Sequence, residues 1–248
     1  MNETKFEDRY SRQIRLPQIG EEGQAKLRDA RVLVIGMGGL GSPVALYLAA
    51  AGVGLMRIAD FDQVDESNLQ RQIIHQHADI GELKAESAAR SLKAINPDIE
   101  IETLDYSLNH EDFLEQSRDI DLIVDCTDNF PTRFELNDVS LANRIPLVSG
   151  AAIRWEGQVT AFDPRIDESP CYQCLYSDRN IESATCAMEG VVAPLVGIIG
   201  TMQAMEAMNI LLGNPQLVGI VWLFDARSME WQQMRLNRNP GCAACGGS

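Results

Sequence analysis

The sequence predicts an α/β fold with a doubly wound, mainly parallel sheet, and three observations predict it. Val32 to Ile35 is a short, fully apolar run, the pattern of a strand buried on both faces. Gly36, Gly38 and Gly41 follow at G-x-G-x-x-G spacing, and Val44 to Ala51 reads as a helix that Pro43 opens and Gly52 ends. Apolar runs and helical patterns then keep alternating, as βα units do.

In chain order, residues 1–30 form a charged helical arm whose notable piece is Tyr10-Ser11-Arg12-Gln13-Ile14. Such an arm either packs on a neighbour or stands as a solvated helix. Strands are expected at 32–36, 55–60, 99–104, 121–126 and 146–149. The helix from Glu82 to Ile95 sets Ala85, Ala88, Ala89, Leu92 and Ile95 on one face and stops at Asn96-Pro97. Further helices fall at about 110–117, 133–143 and 192–212. From Ile153 the character changes. Gln158 to Phe162, Ile220 to Asp225 and Glu230 to Leu236 alternate as short strands of an antiparallel extension. The 248 residues read as a single domain with three parts: the arm (1–30), a nucleotide-binding half (31–150) and a second half (151–248).

The glycine turn brings chemistry with it. Its backbone N–H groups can approach an anion closely, and the helix N-terminus behind it favours negative charge. Asp60 follows the second apolar run, about 20 residues on, where a carboxylate meets ribose hydroxyls. Strand, turn, helix and acid together mark a nucleotide site; the plain alternative is a tight βα turn with no ligand. Cations lie nearby in Ser67-Asn68-Leu69-Gln70-Arg71-Gln72 and at Lys84. Hydride transfer needs no pair of cations beside a pyrophosphate, whereas nucleotidyl transfer does. Asp128 sits just past a strand, at the sheet edge where ligands of open α/β folds bind. A carboxylate there can hold Mg²⁺ on ATP phosphates, or Asp128 or Thr132 caps the next helix. His75, His77 and His110 read as surface or capping residues.

Composition narrows the field. A formal net charge of −15 and a pI of about 4.6 argue against nucleic acid, which needs clustered cations. The N-terminus lacks the apolar segment of a signal peptide, and Pro194, Gly197 and Gly200 interrupt the most apolar stretch. No membrane is expected as a partner, and the expected location is the cytoplasm, where thiols stay reduced. Cys171-x-x-Cys174 and Cys242-x-x-Cys245 therefore read as a four-thiolate structural zinc site; an iron–sulfur cluster or two redox pairs are the alternatives. Cys126 ends an apolar run and reads as core. Cys186, in a polar stretch, is a candidate nucleophile or sulfur carrier, or else an incidental thiol.

These motifs, in this order, resemble the ubiquitin-activating superfamily in its bacterial branch of sulfur-carrier adenylyltransferases. The resemblance covers nearly the whole chain. It rests on Tyr10 to Ile14, Gly36 to Gly41, Asp60-Phe61-Asp62, Ser67 to Gln72, Lys84, Asp125 to Asn129 and both cysteine pairs. Ser149 to Arg154 and Ala187 to Pro194 are most similar to the molybdopterin group of that branch, with the thiamine group as near neighbour. The resemblance implies that Gly39, Asp60, Ser67, Asn68, Leu69, Gln70, Arg71, Lys84, Asp128 and Asn129 contact ATP and its Mg²⁺. It implies catalytic roles for Arg12, Arg71, Lys84 and Asp128, with Arg12 reaching the ATP of a neighbouring subunit in a homodimer. It implies structural Zn²⁺ on Cys171, Cys174, Cys242 and Cys245, and aligns Cys186 with a loop cysteine that is covalent in some branches. The implied substrate is a small ubiquitin-fold sulfur carrier ending in Gly-Gly, bound by residues 151–248. It is molybdopterin-type or, alternatively, thiamine-type, and its adenylation yields acyl-adenylate and pyrophosphate. Some relatives carry a rhodanese domain; none is seen in this sequence, so a separate sulfur donor is expected. Two other readings keep the nucleotide cradle: an NAD-dependent oxidoreductase, and a non-catalytic nucleotide-binding scaffold.

Overall fold

The computed structural model describes residues 3–179 and 189–246. Cys186 lies outside the described residues. Two helices, α1 (Glu3–Ile14) and α2 (Gly20–Asp29), precede the sheet. β1 (Arg31–Ile35) runs parallel between β2 (Leu55–Ala59) and β4 (Leu122–Asp125). β3 (Glu100–Leu104) lies outside β2 and β5 (Leu147–Ile153) beyond β4, both parallel. Strand order therefore reverses at β1 and β4, and the crevice of a doubly wound sheet opens above their C-terminal ends.

The central strands β1, β2 and β4 are buried on both faces, which is why they read as largely apolar runs. Val32 and Val34 join one core with Met56, Ile58 and Val124, beneath α3 (Gly41–Ala51) and α4 (Lys84–Ile95). Leu33 and Ile35 join the other with Leu55 and Ile123, beneath α5 (His110–Gln116) and α6 (Phe130–Asn143). The short α7 (Tyr172–Leu175) adds Tyr172 to the second core, and α8 (Ala193–Leu211) adds Leu195, Val196 and Ile199 to the first.

The antiparallel extension continues the same sheet through β6 (Glu156–Phe162), β7 (Ile220–Asp225) and β8 (Glu230–Arg235). β8 is exposed along its whole length, steadied by Trp231 stacked on Phe224 at 4.3 Å between ring centroids. No helix among the described residues is long and apolar enough to cross a membrane.

Three details differ from the sequence expectations. β5 runs on to Ile153 instead of ending at 149, so the division drawn at 150 falls inside one continuous strand. Its small residues are there for space: a Cβ on Gly150 would sit 2.2 Å from Gln203 Oε1 of α8. α4 starts at Lys84 rather than Glu82, because Leu83 is extended and bridged to Gln63. The arm packs on its own chain: Tyr10 is 3 % exposed, its hydroxyl accepts from Asn96 Nδ2 at 2.8 Å, and Gln13 donates to the Ala51 carbonyl at 3.1 Å.

Candidate functional site

The turn after β1 is built as its glycines require. Gly36 has φ +94°, and a Cβ there would meet the Cys126 carbonyl at 2.8 Å. Gly41 lets α3 approach so closely that a Cβ would overlap the Gly36 carbonyl at 1.8 Å. Beside the turn, Asp60 takes the Met37 N–H on Oδ2 at 2.8 Å and the Asp62 N–H on Oδ1 at 3.0 Å. Burial pushes its carboxyl up, against the opposing pull of Lys84 and both N–H groups.

A cavity of about 640 Å³ opens here. Among the sequence-predicted residues, Gly39, Asp60, Arg71, Lys84, Asp128 and Asn129 line it. Arg71 is held by its own turn, donating to the Ser67 carbonyl at 3.1 Å. Lys84 is 6 % exposed and opens α4, where the helix dipole disfavours a cation. Burial and the dipole both oppose its charge, and Asp62 Oδ2 at 2.8 Å offsets them.

Asp128 is exposed at the cavity edge, and the cap of α6 falls to neither Asp128 nor Thr132. Asn129 caps the helix instead, its Oδ1 accepting from Thr132 N–H at 3.0 Å. Beneath this loop lies a buried polar network that sequence reasoning missed. Asp125 accepts from Thr127 Oγ1 at 2.7 Å and Ser149 Oγ at 2.6 Å. Arg133 donates to the carbonyls of Thr127 at 2.6 Å and Gly150 at 3.2 Å. Burial opposes the Arg133 charge, but Asp125 at 3.6 Å holds its guanidinium above the usual arginine range. Gln203 of α8 donates to the Asp125 carbonyl at 2.6 Å. One signal was available: Arg133 shares the core-facing side of α6 with Leu136 and Asn137. Gln72, also missed, is buried in the lining with Oε1 unpartnered.

Other predicted residues stand apart from the cavity. Ser67, Asn68, Leu69 and Gln70 do not line it; Asn68 is turned into a capping box with Asp65 over Glu66–Asn68. Arg12 is exposed on α1 and does not line it either. Cys126 is buried, as expected of a core residue, and burial pushes its thiol well up. His77 and His110 are exposed, but His75 is not a surface residue: both ring nitrogens are bonded in the core.

The four cysteines converge, with all their sulfurs within 4.8 Å of one another. Cys171–Cys174, Cys171–Cys242 and Cys174–Cys245 are separated by 3.9, 3.7 and 3.5 Å. A tetrahedral zinc with bonds of about 2.3 Å has sulfur–sulfur edges of about 3.8 Å, so the donor set fits that ion. The Asn239 N–H points at Cys174 Sγ from 3.4 Å, as it would toward a thiolate.

Comparisons with known proteins agree on this architecture. The chain is 46 % identical over 239 residues to the molybdopterin-synthase adenylyltransferase of Escherichia coli K12, covering 96 % of each. It is 43 % identical over 248 residues to the sulfur carrier protein ThiS adenylyltransferase of the same organism, covering 100 % of this chain and 98 % of that one. The microcin C7 biosynthetic enzyme MccB, solved in complex with N-formylated MccA, superposes with a TM-score of 0.85 at 21 % identity, over 99 % of this chain and 77 % of that one. At that identity the likeness concerns the fold. The ThiF family model matches residues 10–244, from the buried tyrosine of the arm almost to the last cysteine. On that span, and on relatives that align end to end, the chain belongs to the ThiF family.

Proposed function

We propose that the chain is an ATP-dependent adenylyltransferase acting on the C-terminal carboxylate of a small ubiquitin-fold sulfur carrier. The observation that carries this reading is the convergence of Arg71, Lys84, Asp60 and Asp128 on one cavity beside the glycine turn. The chemistry asks for such a set. A carboxylate is a poor acyl donor, and joining it to AMP supplies a good leaving group. The carboxylate oxygen attacks the α-phosphate and pyrophosphate departs. Anion must meet anion, so Arg71 and Lys84 offset phosphate charge while the cavity holds the reactants in line. The backbone of the glycine turn takes the phosphates and Asp60 the ribose. Asp128, with Asn129, would hold the Mg²⁺ of ATP, which screens phosphate charge.

The carrier is of the molybdopterin type, after the 46 % identical relative. The full-length match to the ThiS adenylyltransferase supports the thiamine type as second reading. The cysteine cluster holds one structural Zn²⁺, which would tie the segment after Pro170 to the C-terminal segment. The active unit is a homodimer. α3 and α8 are apolar on nearly every side, yet Tyr47 and Met205 stand 55 % and 60 % exposed. Arg12 would complete the phosphate site of the partner.

Pyrophosphate exchange with purified chain, ATP and candidate carriers tests this. Exchange should require the carrier's Gly-Gly terminus and run fastest with the molybdopterin-type carrier. Exchange with the thiamine-type carrier alone favours the second reading, and none with any carrier overturns both.

A further inference from the structure

Behind the glycine turn, outside the cavity lining, a chain of polar groups runs inward from the exposed Arg90 and ends on Met37. Arg90 Nη2 donates to Asp79 Oδ1 at 2.6 Å, and Ser87 Oγ lies 2.8 Å from Asp79 Oδ2. His75 Nδ1 lies 2.8 Å from Ser87 Oγ, and His75 Nε2 lies 2.9 Å from the Met37 carbonyl oxygen. His75 and Asp79 are each 6 % exposed and Ser87 is fully buried. Nothing in the reaction as described uses this histidine.

Counting protons assigns the ring. The Met37 carbonyl can only accept, so Nε2 carries the proton between them. Ser87 has one hydroxyl proton and two acceptors at the same distance, Asp79 and Nδ1. With His75 neutral, that proton serves one of them at a time. A second ring proton completes the chain, with Nδ1–H donating to Ser87 and Ser87 to Asp79.

The far end of the chain is what matters for the site. The Met37 carbonyl and the Gly38 N–H belong to one planar trans peptide and point in opposite directions. Holding the carbonyl on His75 therefore turns the Gly38 N–H away from His75. Gly38 lines the cavity, and among the described residues no acceptor meets its N–H. Asp60 grips the Met37 N–H from the other side, so Met37 is clamped at both backbone atoms. A donor on the carbonyl also polarises the amide and strengthens its N–H.

We propose that His75 is a positioning residue for the nucleotide: through Nε2–H it pins the Met37–Gly38 peptide and aims the Gly38 N–H at the phosphates. This rests on the adenylation reading. The groups facing the ring are Lys84 at the start of α4, Asp60 after β2 and Asp79 in the turn His77–Asp79, with Arg90 bonded to Asp79. Burial first, then Lys84, holds the imidazole below its usual range, against the pull of the Met37 carbonyl and the two carboxylates. The ring is neutral at pH 7.5 and gains its second proton on acidification, when Nε2–H becomes a charged and stronger donor.

The test uses the full chain with ATP and Mg²⁺, with and without carrier. His75→Asn removes the donor to Met37. His75→Gln keeps a donor near the Nε2 position but does not titrate. His75→Asn should weaken ATP binding in calorimetry about tenfold and raise KM for ATP alike, with kcat at saturating ATP within about threefold of wild type. His75→Gln should recover binding to within about threefold at pH 7.5, and wild type should gain on it as acidification gives the ring its second proton. Backbone amide NMR should show the Gly38 signal moving with ATP in wild type and His75→Gln, and not in His75→Asn. Ser87→Ala frees the ring and should weaken binding about threefold; should His75→Asn fail to fold, Ser87→Ala and His75→Gln decide between them. ATP binding by His75→Asn equal to wild type overturns the proposal and leaves adenylation standing, as does a His75→Gln no better than His75→Asn. A wild-type chain that binds no ATP overturns both.

Discussion

The parallel and antiparallel parts of the one sheet are held by different means. β1, β2 and β4 are buried on both faces and carry the cavity at their C-terminal ends. β7 is partly buried, β8 is exposed throughout, and the chain beyond it returns to the cysteine cluster. A strand covered on two sides keeps its place by burial alone. An edge ribbon covered on one side does not, and here aromatic stacking and four sulfurs do the holding. Chemistry and cohesion are thus separable: changes at the cavity should cut turnover and leave melting alone, and changes at the sulfurs should do the reverse.

The sharpest test of that separation is Asp128→Ala. Loss of the proposed metal ligand should lower adenylation by about a thousandfold, with a melting temperature within about 2 °C of wild type, since Asp128 is exposed and does not cap α6. Near-normal turnover would remove Asp128 from the mechanism. Next comes Arg12→Ala, expected to lower kcat by about a hundredfold with less change in KM for ATP. Mixed with Asp128→Ala under subunit exchange, it should regain activity, approaching about a quarter of wild type, because one site of each mixed dimer inherits neither defect. A mixture that stays inactive places Arg12 outside the partner's site. Cys245→Ser should invert the pattern: bound zinc falls from about one per chain and melting drops by several degrees before ATP affinity changes. Metal analysis with iron in place of zinc would overturn the assignment.

The smallest effect lies at the seam between the two parts. Glu206 of α8 is buried and takes the N–H groups of Gln216 at 2.7 Å and Leu217 at 2.7 Å. Burial raises its carboxyl above the ordinary range despite those bonds. A raised folded-state value means that its contribution to stability is full below the unfolded value of about 4.3 and is lost as pH rises through the folded one. Glu206→Gln keeps an acceptor without the charge. It should melt at or slightly above wild type at pH 7.5, by up to about 1 kcal/mol, and lose that advantage near pH 4. Urea titrations at the two pH values check the sign.

The division also explains what could be read from the chain. The glycine turn, Asp60, Arg71, Lys84, Asp128 and the cysteine pairs announce themselves through local spacing. Ser67 to Gln70 lie off the cavity lining, where the capping box holds Asn68 and the cavity receives Arg71 and Gln72 from that motif. The floor beneath Asp128 was not legible, because its bonds span the chain: Ser149 meets Asp125 across 24 residues and Gln203 meets it across 78. His75 was misplaced for the same reason, its ring reaching Met37 across 38 residues. The extent of β5 was missed because Ser149-Gly150-Ala151-Ala152 lacks the β-branched residues of a strand, small side chains being what Gln203 leaves room for.

The burial of Tyr10 fixes more than the position of the arm. A helix advances about 100° per residue, so a side chain two places on points roughly 200° away. With Tyr10 turned into its own chain and bonded to Asn96, Arg12 must face outward, as it does. Tyr10 thus sets the azimuth of Arg12, and the two-residue interval is an angular constraint. One alanine inserted between Tyr10 and Arg12 would leave every charge and both side chains in the chain, yet swing the guanidinium by about 100°.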